Sequence, residues 1–404
     1  MKSAVRTLEL QELVRFASGG TPSKGNPANW GGDVPWVSAK DLKTLNLHDS
    51  QDHLTKLGAT GTALAPAGSV LVLVRGMTLL KDLPIGVTAR PMAFNQDIKA
   101  LYSTDGLRPY YLAYYLISRK QEILQSVETA GHGTGRLDTD FLKTFPIELP
   151  SLDRQDDIIE VIGEWDDAIE KSTALLTSLL QRKQGLMQQL LTGRRRLKGF
   201  KGKWKTVSVG SLAAHASNIN KSGQALPVLS CTKYAGLVDS LSYFGKQIFS
   251  QNTSTYKLVA RGQFAYATNH IEEGSIGHQN LYDAALISPM YTVFDVDSAV
   301  ANHGFLYKLL KTEAMRRVFE SSTHGSVARR GSLRWPEFAK LKLAIPPLLE
   351  QQAIATVLDV ASSEVELVQA QIGQLKTQKR ALMQKLLPGD WRLPETPLPK
   401  GISA

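Results

Sequence analysis

The residues whose types and spacing could support catalysis form no recognisable motif. Gly20-Thr21-Pro22-Ser23-Lys24 combines glycine, lysine and a hydroxyl group but lacks the spacing of the phosphate-binding loop Gly-x-x-x-x-Gly-Lys-Ser/Thr. The histidines and acidic residues show neither His-Glu-x-x-His nor a cysteine-based zinc spacing. We therefore predict a binding protein with no catalytic residue, no metal site and no cofactor of its own, although a site assembled from distant residues remains compatible with the sequence.

Basic residues are the clearest chemical signal. The 404-residue chain carries a net charge of +10, which favours a polyanionic partner but is also compatible with a merely basic surface. One run has no acid within it and consists of Arg194, Arg195, Arg196, Lys198, Lys201, Lys203 and Lys205. We interpret this run as a linker that contacts DNA phosphates, and a solvated connector is the equal alternative.

Loop residues in both halves of the chain could reach DNA as well. Amides, hydroxyls and basic groups read base edges or hold phosphates, and neighbouring glycines let a loop approach the duplex closely. The candidates in the first half are Ser23, Lys24, Ser38, Lys40, Arg75 and Arg136. Those in the second half are Asn269, His270, Ser275, His324, Arg329, Arg330 and Arg334, and an ordinary structural turn is the alternative for Asn269 to Gly277.

The two halves are copies of one plan. PSLDRQ at Pro150–Gln155 returns as PPLLEQ at Pro346–Gln351, and GLMQQLLTG at Gly185–Gly193 returns as ALMQKLLPG at Ala381–Gly389. Both matches are 196 residues apart, so we infer an internal duplication. The blocks before these segments align more loosely, with changing offsets, which indicates variable surfaces on a constant frame.

Each block is predicted to be a mixed α and β domain. Val34–Val37 and Val70–Val74 read as strands, and Tyr110–Val127 has a helical pattern that ends at the glycines after it. Phe305–Phe319 matches this helix in the second block, and Gly262 matches Gly68 ahead of the buried strand.

The duplicated segments predict two long helices with a heptad seam. Prolines precede them, and Gly193 and Gly389 end them. The first seam is Ile162, Trp165, Ile169, Ser172, Leu176, Leu179, Lys183, Leu186 and Leu190. The second is Leu358, Ala361, Val365, Val368, Ile372, Leu375, Lys379, Leu382 and Leu386. Apolar residues at steps of three and four indicate two helices that pack knobs into holes.

The reach of the connecting chain predicts the direction of the helices. A helix from Asp153 to Leu191 is about 58 Å long, whereas the twelve residues from Thr192 to Lys203 span at most about 40 Å. We therefore expect an antiparallel pair, pseudo-twofold symmetric, with one globular domain at each end. A parallel pair is the less favoured alternative.

The last turns of both helices are more apolar than a two-helix seam requires. The residues involved are Leu186, Met187, Leu190 and Leu191, and their counterparts Leu382, Met383, Leu386 and Leu387. This face either docks partner subunits or packs against the neighbouring globular domain.

The fold expected from these patterns is α+β, with two similar α/β domains separated by an antiparallel coiled coil. Its segments are 1–149 for the first domain, 150–193 for the central helix, 194–203 for the basic linker, 204–345 for the second domain, 346–389 for the distal helix and 390–404 for a C-terminal tail. The single cysteine, Cys231, and the absence of an apolar leader or membrane span predict a cytoplasmic protein.

In this order the motifs resemble the specificity subunit of type I restriction-modification systems. The resemblance rests on the duplicated helices and on Gly19-Gly20-Thr21-Pro22-Ser23, Val34-Pro35-Trp36-Val37, Asn95-Gln96-Asp97, Gly274-Ser275-Ile276-Gly277 and Ser288-Pro289-Met290-Tyr291. One departure is that Ser151 and Arg154 stand where the second copy has Pro347 and Glu350.

The resemblance implies two target-recognition domains, each of which reads one half of an interrupted double-stranded DNA site. It implies a non-catalytic chain whose helices recruit methyltransferase subunits, two of them in our interpretation, with restriction subunits joining the complex. S-adenosylmethionine, ATP and Mg then belong to those partners. A coiled-coil scaffold with protein-binding ends is the alternative, and a self-contained methyltransferase or nuclease is disfavoured by the missing motifs.

Overall fold

The computed structural model describes residues 6–130, 133–323 and 332–391. The chain forms two compact units, Met1–Ala174 with Ala370–Ala404, and Leu175–Gln369. Gly131, the predicted DNA contacts His324, Arg329 and Arg330, and the tail from Arg392 onward lie outside the described residues.

The first unit is built from short strands and helices that alternate along the chain. Its strands are β1 (Arg6–Glu9), β2 (Val14–Ser18), β3 (Trp30–Val37), β4 (Asn46–Leu47), β5 (Asp52–Leu54), β6 (Leu64–Ala65), β7 (Val70–Leu73), β8 (Arg75–Gly76), β9 (Ile85–Thr88), β10 (Met92–Phe94), β11 (Ile98–Ser103), β12 (Glu128–Ala130), β13 (Thr134–Arg136) and β14 (Pro146–Leu149). Its helices are α1 (Leu10–Leu13), α2 (Lys56–Ala59), α3 (Pro109–Ser118), α4 (Lys120–Gln125), α5 (Thr139–Lys143) and the first part of α6 (Leu152–Leu190).

The second unit repeats this plan. Its strands are β15 (Lys205–Ser208), β16 (Ala213–Ala216), β17 (Val228–Thr232), β18 (Gly236–Asp239), β19 (Lys257–Ala260), β20 (Phe264–Ala267), β21 (Ile276–His278), β22 (Ala284–Ile287), β23 (Tyr291–Val296) and β24 (Lys342–Ile345). Its helices are α7 (Ser240–Phe244), α8 (His303–Leu310), α9 (Glu313–Ser322), α10 (Trp335–Phe338) and the first part of α11 (Leu348–Leu386).

The sheets of the two units have corresponding strand orders, except that β4 adds a fifth strand to one sheet of the first unit. In the first unit one sheet runs β2-β11-β7-β9-β4 and another β5-β3-β10-β6, whereas the second unit has β16-β23-β20-β21 and β18-β17-β22-β19. The parallel pair of β3 with β10 recurs as β17 with β22. The mixed α and β fold and its duplication, both predicted from the sequence, are therefore confirmed.

The predicted strands are buried because they are continuous apolar runs. Every residue of β7 is buried, and Gly68 precedes this strand with a φ of 81°, a left-handed conformation that favours glycine. Gly262 has a φ of 90° in the same position before β20. This shared turn confirms the match between the two strands.

The prediction of one continuous helix after each sheet was wrong. Tyr110–Val127 divides into α3 and α4 at Arg119, and Phe305–Phe319 divides into α8 and α9 at Lys311 and Thr312. Thr312 caps the new helix by accepting a hydrogen bond from the backbone N–H of Met315. In the first unit the reason is burial, since α3 is apolar on nearly all sides and lies in the core, whereas in α4 only Ile123 is fully buried.

The long helices confirm the predicted seam and its direction. Helices α6 and α11 contain 39 residues each, and every predicted seam residue is buried or half-buried. In the first unit Asp166 of α6 pairs with Lys379 of α11, and in the second unit Arg182 of α6 pairs with Glu364 of α11. Later residues of one helix thus meet earlier residues of the other, so the helices are antiparallel.

Both long helices end in the same way. Gly193 and Gly389 have φ values of 69° and 77°, and the backbone N–H groups of Leu191 and Leu387 close the last turns on Met187 and Met383. The predicted glycine stop signals are therefore confirmed.

The repeated segments PSLDRQ and PPLLEQ both end in a glutamine, Gln155 in the first copy and Gln351 in the second, and the contacts of these glutamines explain the repeat. Gln155 is fully buried; its Oε1 accepts a hydrogen bond from the Arg108 N–H at 2.8 Å, and its Nε2 donates to the Gly106 and Pro150 carbonyls. Gln351 makes the equivalent bonds with the Asn302 N–H and the carbonyls of Val300 and Pro346. Each glutamine thus fastens a long helix to the globular part of its own unit.

The apolar ends of the long helices are covered within their own units. Leu190 and Leu191 lie in the core of the second unit, and Met383 and Leu387 in that of the first. The packing interpretation accounts for these four residues, whereas Leu186, Met187 and Leu382 are half-buried, and their docking role stays a prediction. Among the described residues, no helix is both long enough and apolar enough to cross a membrane.

A half-buried histidine packs among aromatic rings in the second unit. The His278 ring packs 4.7 Å from Phe264 and 5.5 Å from His303, centroid to centroid, and its Nε2 has no hydrogen-bond partner among the residues described. Burial, together with the charges of His303 and Lys308, lowers the pKa of His278 from 6.5 to about 4.

We expect replacement of either buried glutamine by alanine to destabilise the chain. Gln155→Ala or Gln351→Ala leaves buried backbone groups unpaired, so the free energy of unfolding should fall by about 1–3 kcal/mol for each lost partner. Denaturant unfolding of the full chain measures this. The matched control is Gln352→Ala, which removes an exposed side chain next to Gln351. Equal effects of Gln351→Ala and Gln352→Ala would contradict the fastening role.

The low pKa of His278 predicts a loss of stability in acid. The unfolded chain binds this proton more readily than the folded chain, so stability should be lost as pH falls from 6.5 towards 4, by at most about 3 kcal/mol from this group. Unfolding should be measured across this window for the wild-type chain and for His278→Gln, with the exposed His48→Gln as the control. The glutamine variant at 278 should show a weaker pH dependence, and an unchanged dependence would refute the assignment.

Candidate nucleic-acid interface

The first unit contains an open cleft where strands from two of its sheets meet. The cleft has a volume of about 350 Å³. Its lining includes the predicted residues Arg75 and Arg136, and it consists of Val74, Arg75, Gln96, Asp97, Lys99, Arg136, Leu137 and Thr139. Three of these side chains are cationic and one is acidic.

Backbone hydrogen bonds build the floor of this cleft. The N–H of Val74 donates to the carbonyl of Asp97 at 2.8 Å, and the N–H of Leu137 donates to the carbonyl of Val74 at 2.9 Å. Asn95 holds the turn that presents Asp97, because its Oδ1 accepts a hydrogen bond from the Asp97 N–H at 3.2 Å. The Asn95-Gln96-Asp97 motif is therefore a wall of the cleft.

Two arginines face each other across the strands of the cleft. Arg75 in β8 is paired in register with Arg136 in β13. Both side chains are exposed and have no hydrogen bond or ion pair with any other described residue. Like charges directly opposite each other destabilise an antiparallel pair. An anion bound between the two guanidinium groups would offset this repulsion, so the arrangement suits a phosphate or a nucleic-acid base edge.

The second unit has a cleft at the equivalent place. Its volume is about 450 Å³, and it is lined by His215, Lys257, Thr268, Asn269, Pro289, Met290, Tyr291, Thr292, Ser332, Arg334, Trp335 and Pro336. The N–H of Leu333 donates to the Thr268 carbonyl at 2.9 Å, as Leu137 does to Val74 in the first unit. The floor has thus been kept in the duplication while its lining has changed.

Positive charge in the second cleft comes from Lys257 and Arg334. Lys257 donates to the Tyr291 carbonyl at 2.5 Å, and partial burial lowers its pKa. The exposed Arg334 has no side-chain partner within the described ranges, and no acid lines the cleft. His215 stacks on Trp335 at 5.7 Å, and desolvation and the nearby Lys257 lower its pKa, which favours the neutral ring.

Several predicted contacts lie outside the cleft linings. Ser38 is buried and donates to Asp41, Lys40 pairs with Asp52, and Ser275 is buried. The remaining predicted loop and linker residues that do not line a cleft are mostly exposed: Ser23, Lys24, His270, Arg194 and Arg195.

Arg196 has a structural partner and is not a free cation of the linker. Its guanidinium group donates two hydrogen bonds of 2.5 Å to Glu350, whose side chain is fully buried, and the contact raises the pKa of Arg196. It also lies 5.9 Å from the Trp204 ring. The phosphate-contact interpretation therefore does not describe Arg196 in this structure.

Some residues that line the clefts were not predicted as site residues, although they lie in motifs that the sequence shows. Gln96, Asp97 and Met290 belong to two motifs on which the family resemblance rests, Asn95-Gln96-Asp97 and Ser288-Pro289-Met290-Tyr291, but the sequence assigned them no role. His215 and Lys257 carried no such signal, because only the pairing of strands brings them to the cleft.

Part of the chain matches a known protein family and resembles its members in sequence. Residues 2–180 match the family described as the type I restriction modification DNA specificity domain. Over 178 residues the chain is 30% identical to the specificity subunit of the type I restriction enzyme EcoR124I/EcoR124II from Escherichia coli; the match covers 43% of this chain and 44% of that protein, so it spans less than half of the relative's length.

Solved structures share the fold along nearly the whole chain. The S subunit of a type I restriction-modification system from M. genitalium superposes with a TM-score of 0.58 and 12% identity, covering 96% of this chain and 97% of the other. A chain from a study of assembly and conformational transition in the type I system gives 0.59 and 15% identity, with 96% and 98% covered. The predicted resemblance of the chain to type I specificity subunits is therefore confirmed.

We expect Arg136→Gln to affect stability and DNA binding in opposite directions. Removing one of the two opposed cations should raise the free energy of unfolding by about 0.2–1 kcal/mol. The same change should weaken DNA binding and reduce the salt slope by about one. Denaturant unfolding, and DNA titrations of the assembled complex at several salt concentrations, measure the two effects. Lys43→Gln, an exposed cation that lines neither cleft, is the control for stability. A fall in stability together with an unchanged salt slope would contradict the anion-binding role.

Proposed function

We propose that this chain is the DNA-specificity subunit of a type I restriction-modification complex and is itself non-catalytic. The observation that carries the proposal is the pair of equivalent clefts, built on the same backbone floor: the first has two exposed arginines without a partner among the described residues, and the second has one. The fold and the family membership support it. Each cleft reads one half of an interrupted double-stranded DNA site.

The different linings explain how one chain reads two different half-sites. The first cleft offers Arg75, Arg136 and Asp97, whereas the second offers Asn269, Met290 and Arg334. These side chains differ in charge and hydrogen-bonding pattern, and such differences distinguish base pairs in the major groove. Residues 1–149 and 204–345 are the two target-recognition domains in this proposal.

The long helices set the spacing between the half-sites. Their equal length of 39 residues and their apolar seam make them suitable as a spacer between the half-sites. The helices of this pair also recruit methyltransferase subunits, and the exposed apolar side chains Leu175, Leu180, Val360 and Leu367 replace the buried helix ends as the candidate contacts. Restriction subunits, S-adenosylmethionine, ATP and Mg belong to the rest of the complex.

Methylome sequencing tests this function. Cells that express the chain with its methyltransferase subunits should carry adenine methylation at one interrupted motif, and deletion of the chain should remove that motif while other motifs persist. A matched strain that lacks only the methyltransferase subunits is the control. An unchanged methylome after deletion, in a system whose methyltransferase is active, would reject the proposal and favour a scaffold without DNA specificity.

A further inference from the structure

One position differs in a chemically informative way between the two clefts. Arg75 follows Val74, whose carbonyl accepts the Leu137 N–H, and Asn269 follows Thr268, whose carbonyl accepts the Leu333 N–H. Arg75 and Asn269 therefore occupy the same place on the same floor, and both side chains line the cleft. The duplication has kept the backbone and exchanged a guanidinium group for a carboxamide.

We propose that this shared position reads a base edge, with Arg75 selecting guanine in one half-site and Asn269 selecting adenine in the other. This inference rests on the proposed function and adds the identity of one base in each half-site. Arginine donates two hydrogen bonds to O6 and N7 of guanine, and asparagine pairs with N6 and N7 of adenine. Each pairing uses two groups of a planar side-chain end, so it discriminates between bases.

The neighbouring residues separate this role from phosphate binding. A position that only held phosphate would keep its charge, yet Asn269 is neutral. Each cleft also has an exposed arginine beside the leucine of the floor: Arg136 precedes Leu137, and Arg334 follows Leu333. These arginines supply the charge that holds the DNA backbone in either cleft, which leaves Arg75 and Asn269 for the bases.

The groups around the two positions leave them available for a ligand. Arg75 makes no ion pair within the described part of the chain, although Asp97 lines the same cleft. Asn269 is half-buried, and among the described residues its side chain makes one hydrogen bond, a long one of 3.4 Å from the Thr268 hydroxyl to its Oδ1. Its amide nitrogen has no acceptor within the described ranges, and Met290 beside it is 65% exposed and offers an apolar contact of the kind that a thymine methyl accepts.

The test selects DNA from a library in which both half-sites are randomised, using the assembled complex of this chain with its methyltransferase subunits. Arg75→Lys keeps the charge but loses the planar fork, and should reduce discrimination for guanine at one position by about 5-fold to 150-fold. Asn269→Ser should reduce discrimination for adenine by a similar factor at one position of the other half-site. The half-site that is not targeted should be unchanged in each variant.

Arg136→Gln is the matched control, because it lies opposite Arg75 and should weaken binding to all sequences without changing the preferred bases. If Arg75→Lys and Asn269→Ser leave every base preference unchanged, or relax positions other than guanine and adenine, the base assignment is wrong. Selection of no bipartite motif by the wild-type complex would instead reject the proposed function. The two failures are thus distinguishable.

Discussion

The antiparallel packing of α6 against α11 is the constraint on which the rest of the structure depends. The core of the first unit contains Met383 and Leu387 from the end of the chain together with residues that precede Ile162. It is therefore complete only with the end of α11 in place. The seam supplies apolar contacts along both helices, and the charged pairs Asp166 with Lys379 and Arg182 with Glu364 are consistent with one register. A shift of either helix would break both pairs and expose the seam.

The starts of the two long helices differ in sequence but keep the same hydrogen bonds to the backbone. Gln155 and Gln351 make the same three kinds of hydrogen bond, one accepted from an N–H and two donated to carbonyls. Next to them the copies differ, because Glu350 is buried and held by Arg196, whereas Arg154 donates to the Trp391 carbonyl at 2.9 Å. The departure at the start of the first helix thus changes the partner of one side chain and leaves the glutamine contacts intact.

The two clefts also share backbone contacts while their side chains differ. Their floors depend on main-chain groups at Val74 and Thr268, so the side chains of the lining can differ while these hydrogen bonds are kept. In the first cleft two opposed arginines are retained despite their mutual repulsion. In the second, one of the equivalent places holds a neutral amide. The floor and the lining therefore use different atoms of the same strands, so the linings of the two clefts can differ on one scaffold.

The sequence by itself determined the duplication, the helix ends at Gly193 and Gly389, the seam and the antiparallel direction, because these follow from local periodicity and from the reach of the chain. It also identified Arg75, Arg136, Asn269 and Arg334 as polar loop residues, but not that they line matching clefts. Only the tertiary structure decided which residues line the two clefts. It also decided the burial of Leu190 and Met383 and the ion pair of Arg196 with Glu350. The reason is that strand pairing and side-chain burial join residues that are far apart in the chain, and no local pattern records such contacts.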